Sequence, residues 1–113
     1  MEPECDIAAL LDAHIAAWNA HDAPAFVATF DPAAELYRHP GELQLRGREQ
    51  IGAHFLQLWA KQPKFSVRVN RRTQLETHVV DEESLLLDGQ EVARDVAVYR
   101  IESCLIRRVD TVE

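Results

Sequence analysis

The chain has 113 residues, 47% of them apolar and 27% charged, with 19 acidic against 12 basic side chains and a net charge of −7. That length suits one domain burying roughly two thirds of its unfolded surface, with the composition of an ordinary globular protein. The acidic balance argues against nucleic acid, which needs a basic footprint, and no apolar run nears the ~20 residues of a membrane-spanning helix.

Met1 to Glu4 read as a short disordered lead. In IAALLDAHIAAWNAHD, residues 7–22, Ile7, Leu10, Leu11, Ile15 and Trp18 recur at three- and four-residue steps. This spacing predicts an amphipathic helix to about Asn19. His14 falls within its apolar stripe, where an imidazole needs a partner or a cavity. Asp22 is positioned to cap a second, short helix with Pro24 in its first turn. Phe26, Val27 and Phe30 form its apolar side, and Asp31-Pro32 ends it.

A short strand is expected from Ala33 to Arg38, followed by the turn signal His39-Pro40-Gly41. Gly47 then caps a third helix, REQIGAHFLQLWAKQ, with Ile51, Phe55, Leu58 and Trp59 as its buried stripe. Pro63 stops it. From Lys64 the period changes to two. Phe65, Val67 and Val69 define one strand face, and the odd positions continue through Leu75, Thr77 and Val79, with Arg71 marking a bend. Further strands are expected at Leu85 to Leu87, Val92 to Ile101 and Leu105 to Val112, with Asp88-Gly89 as a hairpin signal. Helices followed by an antiparallel meander read as α+β.

Two cysteines, Cys5 and Cys104, permit one disulfide without demanding it. No apolar leader precedes the first helix, so the expectation is a cytoplasmic protein with reduced thiols. The five histidines show no paired ligand spacing, so no metal is expected, and no nucleophile elbow, phosphate loop or dinucleotide motif occurs.

Three stretches, AAWNAHDAPAFVATF, GREQIGAHF and RDVAVYRIE, give the chain its resemblance to a known family. In order and separation they resemble the nuclear transport factor 2-like superfamily, and within it the SnoaL-like and ketosteroid isomerase-like branch. The resemblance implies a cone-shaped α+β fold, three helices packed on a curved, mostly antiparallel sheet. It also implies a pocket between them and a homodimer through the outer sheet face. On Val92 to Ile101 both faces carry apolar residues. One would line the pocket with Asp95; the other would set Val96 and Val98 against a second subunit.

Steroid-isomerising members use a tyrosine, a general-base aspartate and a late-strand acid. The last aligns with Asp95, whereas the other two positions hold His14 and His39. Two of three residue types therefore differ, and steroid isomerisation does not transfer. The late-strand acid of SnoaL-like cyclases supports an acid/base role for Asp95 alone. Arg94 adjoins Asp95 and points to the opposite face, so the aspartate-arginine-aspartate arrangement of epoxide-hydrolysing relatives is not supported.

For Asp95, apolar neighbours Ala93, Ala97 and Tyr99 suit a carboxyl with a raised pKa; the competing reading is a structural ion pair. His14 either pairs with Asp95 as a base or is satisfied within the core. His39, at a strand end, is a base at the pocket mouth or an exposed turn residue. Trp18, Phe30, Tyr37, Phe55, Trp59, Ala97 and Tyr99 are the expected pocket lining, with Phe26 beside them. The expected ligand is a small apolar or carbonyl-containing molecule, handled without a cofactor. Either proton transfer (isomerisation, cyclisation or hydration) or ligand binding alone fits these residues.

Overall fold

A computed structural model describes residues 5–113; the expected N-terminal lead lies outside the described residues. Three helices, α1 (Ile7–Ala20), α2 (Ala23–Ala28) and α3 (Gly47–Lys61), are followed or separated by strands β1 (Phe30–Arg38), β2 (Glu42–Arg46), β3 (Phe65–Leu75), β4 (His78–Leu87), β5 (Gln90–Glu102) and β6 (Leu105–Val112). The sheet order is β2-β1-β6-β5-β4-β3. Only β1 and β6 run parallel; the other four pairings are antiparallel. This is the α+β architecture expected.

The helices start where side chains can satisfy their free amides. Asp6 accepts from Ala9 N at 2.9 Å and Asp22 from Ala25 N at 3.1 Å. Gln50 reaches back to accept from Arg46 N at 2.9 Å. Arg46, rather than Gly47, is the residue at the cap of α3. Between α1 and α2, His21 adopts a left-handed conformation and receives no continuation of the helix. The turn is locked to the sheet: Asn19 donates to Val67 O and accepts from Val67 N at 2.9 and 2.8 Å.

Three expectations need correction, and one strand had not been expected. Phe30 does not belong to α2; it begins β1 and pairs with Ile106, because Thr29 already closes the helix. The β2 strand carries no strong pattern, being a short edge segment whose residues are largely exposed. The odd-numbered face does not continue to Val79. A bulge lies between Val69 and Arg71, reversing the parity, so that Leu75 is 75% exposed. Glu76, at φ 54°, then turns the chain into β4. Finally, Cys5 and Cys104 are not reduced: they form a disulfide with Cα atoms 5.4 Å apart, tying the start of α1 to the β5–β6 turn.

The core fills the space between helices and sheet. Leu11, Phe26, Phe30, Ile51, Val79 and Ile106 are each at most 1% exposed. Phe26 packs at its centre, within ring-centroid distances of 4.7–5.7 Å of His14, Trp18, Phe30, Phe55 and Trp59.

Candidate active site

Register decides which β4 and β5 side chains face the helices. Val79 pairs with Tyr99, Asp81 with Ala97 and Glu83 with Asp95. Three acids therefore point inward, an arrangement that burial alone disfavours. Each is compensated differently.

Asp81 is fully buried and pairs with Arg72, at 2.7 Å from Nε and 2.9 Å from Nη2. The β3 bulge makes this possible, because the parity of Val67 and Val69 would otherwise send Arg72 outward. Arg72 also donates to Asp12 of α1 at 2.7 Å, tying the first helix to the sheet.

Glu83 is 7% exposed. Burial pushes its carboxyl up to about 9, reinforced by a hydrogen bond to Asp95 and by the charges of Asp95 and Asp81. It is therefore protonated at neutral pH and donates to Asp95. Burial likewise raises Asp95, the bond from Glu83 working against that rise. Tyr99, buried beside them, is raised well above its ordinary value by burial and by these same acids.

His14 is 2% exposed. Its Nδ1 lies 3.0 Å from Thr29 Oγ1, and that hydroxyl donates to Phe26 O at 2.7 Å. Since the hydroxyl proton is used there, His14 Nδ1 must be the donor to Thr29. Burial first, and the Arg72 charge second, lower this imidazole to about 3. Among the described residues no hydrogen bond joins it to Asp95. It is a neutral wall of the cavity, the opposite of an imidazole made basic by a carboxylate.

The cavity has two adjoining parts. The inner part, about 80 Å³, is lined by His14, Phe26, Phe30, Glu83, Ala97 and Tyr99, among others. The outer part, about 340 Å³, includes His54, Leu58, Phe65 and Leu85. Trp18, Leu36, Phe55, Asp95, Val109 and Thr111 belong to both. Asp95 thus stands where they meet.

Of the expected lining, Trp18, Phe30, Phe55, Ala97 and Tyr99 are in place. Trp59 lines neither part; it is buried in the core, stacked on His21 at 5.1 Å. Tyr37 borders the outer part, but its hydroxyl donates to Glu35 at 3.2 Å and Arg108 lies 3.8 Å over its ring. His39 is exposed and lines neither part. The fold brings His14 and Asp95 to one cavity and leaves His39 outside it.

Glu83 escaped the sequence reading. It sits in the run Asp81-Glu82-Glu83-Ser84, whose four polar residues hide a strand. Its alternation was nonetheless legible, with Val79, Asp81, Glu83 and Leu85 on one face. Among the described residues, no group of three or more His, Cys, Asp or Glu is placed to hold a metal, and no helix is long and apolar enough to cross a membrane.

A curved sheet closed by three helices over a cavity is a nuclear transport factor 2-like fold. The SnoaL-like domain model matches residues 11–109, and the chain belongs to that family. No curated protein matches it in sequence. A cystatin-fold protein from Novosphingobium aromaticivorans superposes with a TM-score of 0.86 at 23% identity, covering 98% of this chain and 100% of the other. A SnoaL-like protein of unknown function from Burkholderia thailandensis gives 0.79 at 18% identity, over 96% and 97% of the two chains. A protein with a ketosteroid isomerase-like fold from Catenulispora acidiphila, solved in complex with trimethylamine, gives 0.75 at 19% identity, over 90% and 82%.

Proposed function

We propose that this SnoaL-like protein holds a small organic molecule in its cavity and moves a proton on it through Asp95, next to a carbonyl and without a cofactor. The observation that carries this reading is one atom. Asp95 Oδ1 is shut off from solvent and has no hydrogen-bond partner, on a residue that lines both parts of the cavity. A buried acceptor left unpaired costs about 1–3 kcal/mol, which a bound donor or a transferring proton offsets. Glu83 supplies the complement, a protonated acid that tunes Asp95. His14 and His39 are not needed as bases.

The test is deuterium exchange at the carbon beside the carbonyl, followed by NMR over a panel of small cyclic ketones. Wild type accelerates exchange, and Asp95→Asn loses about a hundredfold of it. His39→Ala changes nothing. No exchange above buffer for any ketone overturns the catalytic reading. A non-catalytic binding role is then favoured by the neutral state of His14, which removes the dyad from the site.

The same reading includes a homodimer. On the outer sheet face Val80 stands opposite Val98, and Val96 opposite Val112. Val80 and Val112 are each 37% exposed, and this apolar patch supports self-association. Light scattering on wild type and Val98→Glu tests it: a dimer that dissociates in the variant is expected, and a monomeric wild type overturns it. We keep the cytoplasm as the compartment to test, against one opposing observation: Cys5 and Cys104 are exposed, and cytosolic reductants keep such thiols reduced. Alkylation of freshly lysed cells decides between them.

A further inference from the structure

The polar groups of the inner part of the cavity are one-sided, whereas Arg38 and Glu113 both border the outer part. On its inner part the ionisable side chains are His14, Glu83, Asp95 and Tyr99, with no lysine or arginine among the residues lining it. Arg72, the cation behind this wall, is committed to Asp81 and Asp12. The acids Glu83 and Asp95 therefore have no cationic side chain beside them on the inner wall.

Two buried atoms on residues common to both parts are unpartnered: the acceptor Asp95 Oδ1 and the donor Trp18 Nε1. A hydrocarbon leaves both unsatisfied, and a carboxylate meets Asp95 with like-charge repulsion. A cation bearing an N–H satisfies the first atom and supplies the missing charge. Trp18, Phe26, Phe30 and Phe55 line the same space, and aromatic rings attract ammonium groups electrostatically. An oxygen beside the ammonium satisfies the indole.

We propose that the cavity binds a small organic amine in its protonated form. Its N–H donates to Asp95 Oδ1, a neighbouring hydroxyl or carbonyl oxygen accepts from Trp18 Nε1, and the apolar body extends into the outer part. This rests on the reading of the cavity as a ligand site and names the class of ligand.

Three molecules with one frame test it by NMR titration at pH 7: 2-amino-1-phenylethanol, 1-phenyl-1,2-ethanediol and mandelate. The amine shifts resonances of Trp18, Phe55 and Ala97, binding at least tenfold tighter than the diol, and mandelate shifts none. Asp95→Asn brings the amine down to the diol's affinity. Trp18→Phe weakens the amino alcohol but not 2-phenylethylamine, which lacks the oxygen. Should a variant not fold, the wild-type series decides alone. Diol or mandelate binding as tightly as the amine overturns the amine class and leaves the cavity reading standing. Silence from all three at the cavity overturns both.

Discussion

Glu83 and Asp95 stand directly opposite one another on β4 and β5, and burial together with the bond to Asp95 pushes the Glu83 carboxyl up to about 9. Two like charges so close and so poorly solvated do not both ionise. The pair therefore combines one donor and one acceptor, on two residues that both line the inner part of the cavity. Asp95 was evident from the sequence as an acid among apolar neighbours; its partner makes it a tuned one.

Replacing Glu83 separates tuning from chemistry. Glu83→Gln keeps a neutral donor toward Asp95, so proton transfer at pH 7 is retained within a few-fold. Because Glu83 ionises near 9 in the folded protein, wild-type activity changes through that pH and the glutamine variant's does not. Rate profiles from pH 6 to 10 on the best ketone check this. Superimposable profiles would remove Glu83 from the site.

The ion pair behind the site is structural. Arg72→Met leaves the fully buried Asp81 carboxyl without its partner, a change that typically costs about 3–5 kcal/mol. Arg72→Met with Asp81→Leu removes both charges and recovers most of that loss. Urea denaturation of the wild type and the two variants measures it. Equal midpoints for wild type and the single variant would show that the Arg72–Asp81 pair adds nothing to stability.

What the sequence made legible follows a physical division. Helices with three-to-four periodicity, such as Ile51, Phe55 and Trp59 of α3, and strands with clean alternation, such as Phe65, Val67 and Val69, announce themselves locally. So did the family resemblance and the place of Asp95. What stayed hidden depends on pairing between segments. Arg72 turns inward only because the ladder bulges before it, and Glu83 is tolerable inside only because Asp95 lies opposite. The role of His14 was open for the same reason, since its partner Thr29 sits fifteen residues away at the end of another helix.

The Cys5–Cys104 bridge closes a loop of 99 residues. Crosslinks of this span limit the unfolded chain strongly, and removing one typically costs about 2–4 kcal/mol. It also anchors the start of α1, the helix that carries His14 and Trp18. Cys104→Ser, or dithiothreitol acting on the exposed sulfurs, therefore lowers the urea midpoint. A midpoint unmoved by reductant, with two free thiols already titratable beforehand, would show that the bond does not form.

Stability should fall on both sides of a plateau, for two named groups. His14 has a folded pKa near 3 against an ordinary value of 6.5. Between those values the unfolded chain binds the extra proton, so this contribution is full above 6.5 and is lost as pH falls toward 3. Glu83 has the opposite sign. Its folded pKa is near 9 against 4.5, so the folded chain holds the extra proton, and its contribution is full below 4.5 and lost as pH rises through 9. Between 4.5 and 6.5 the two slopes oppose each other, and above 6.5 only the decline from Glu83 remains. Urea midpoints at pH 4, 5.5, 7 and 9 should trace this shape. His14→Gln flattens the acid side, and Glu83→Gln the alkaline side. An alkaline decline that persists unchanged in Glu83→Gln would assign it to another group and break the shared-proton account of the site.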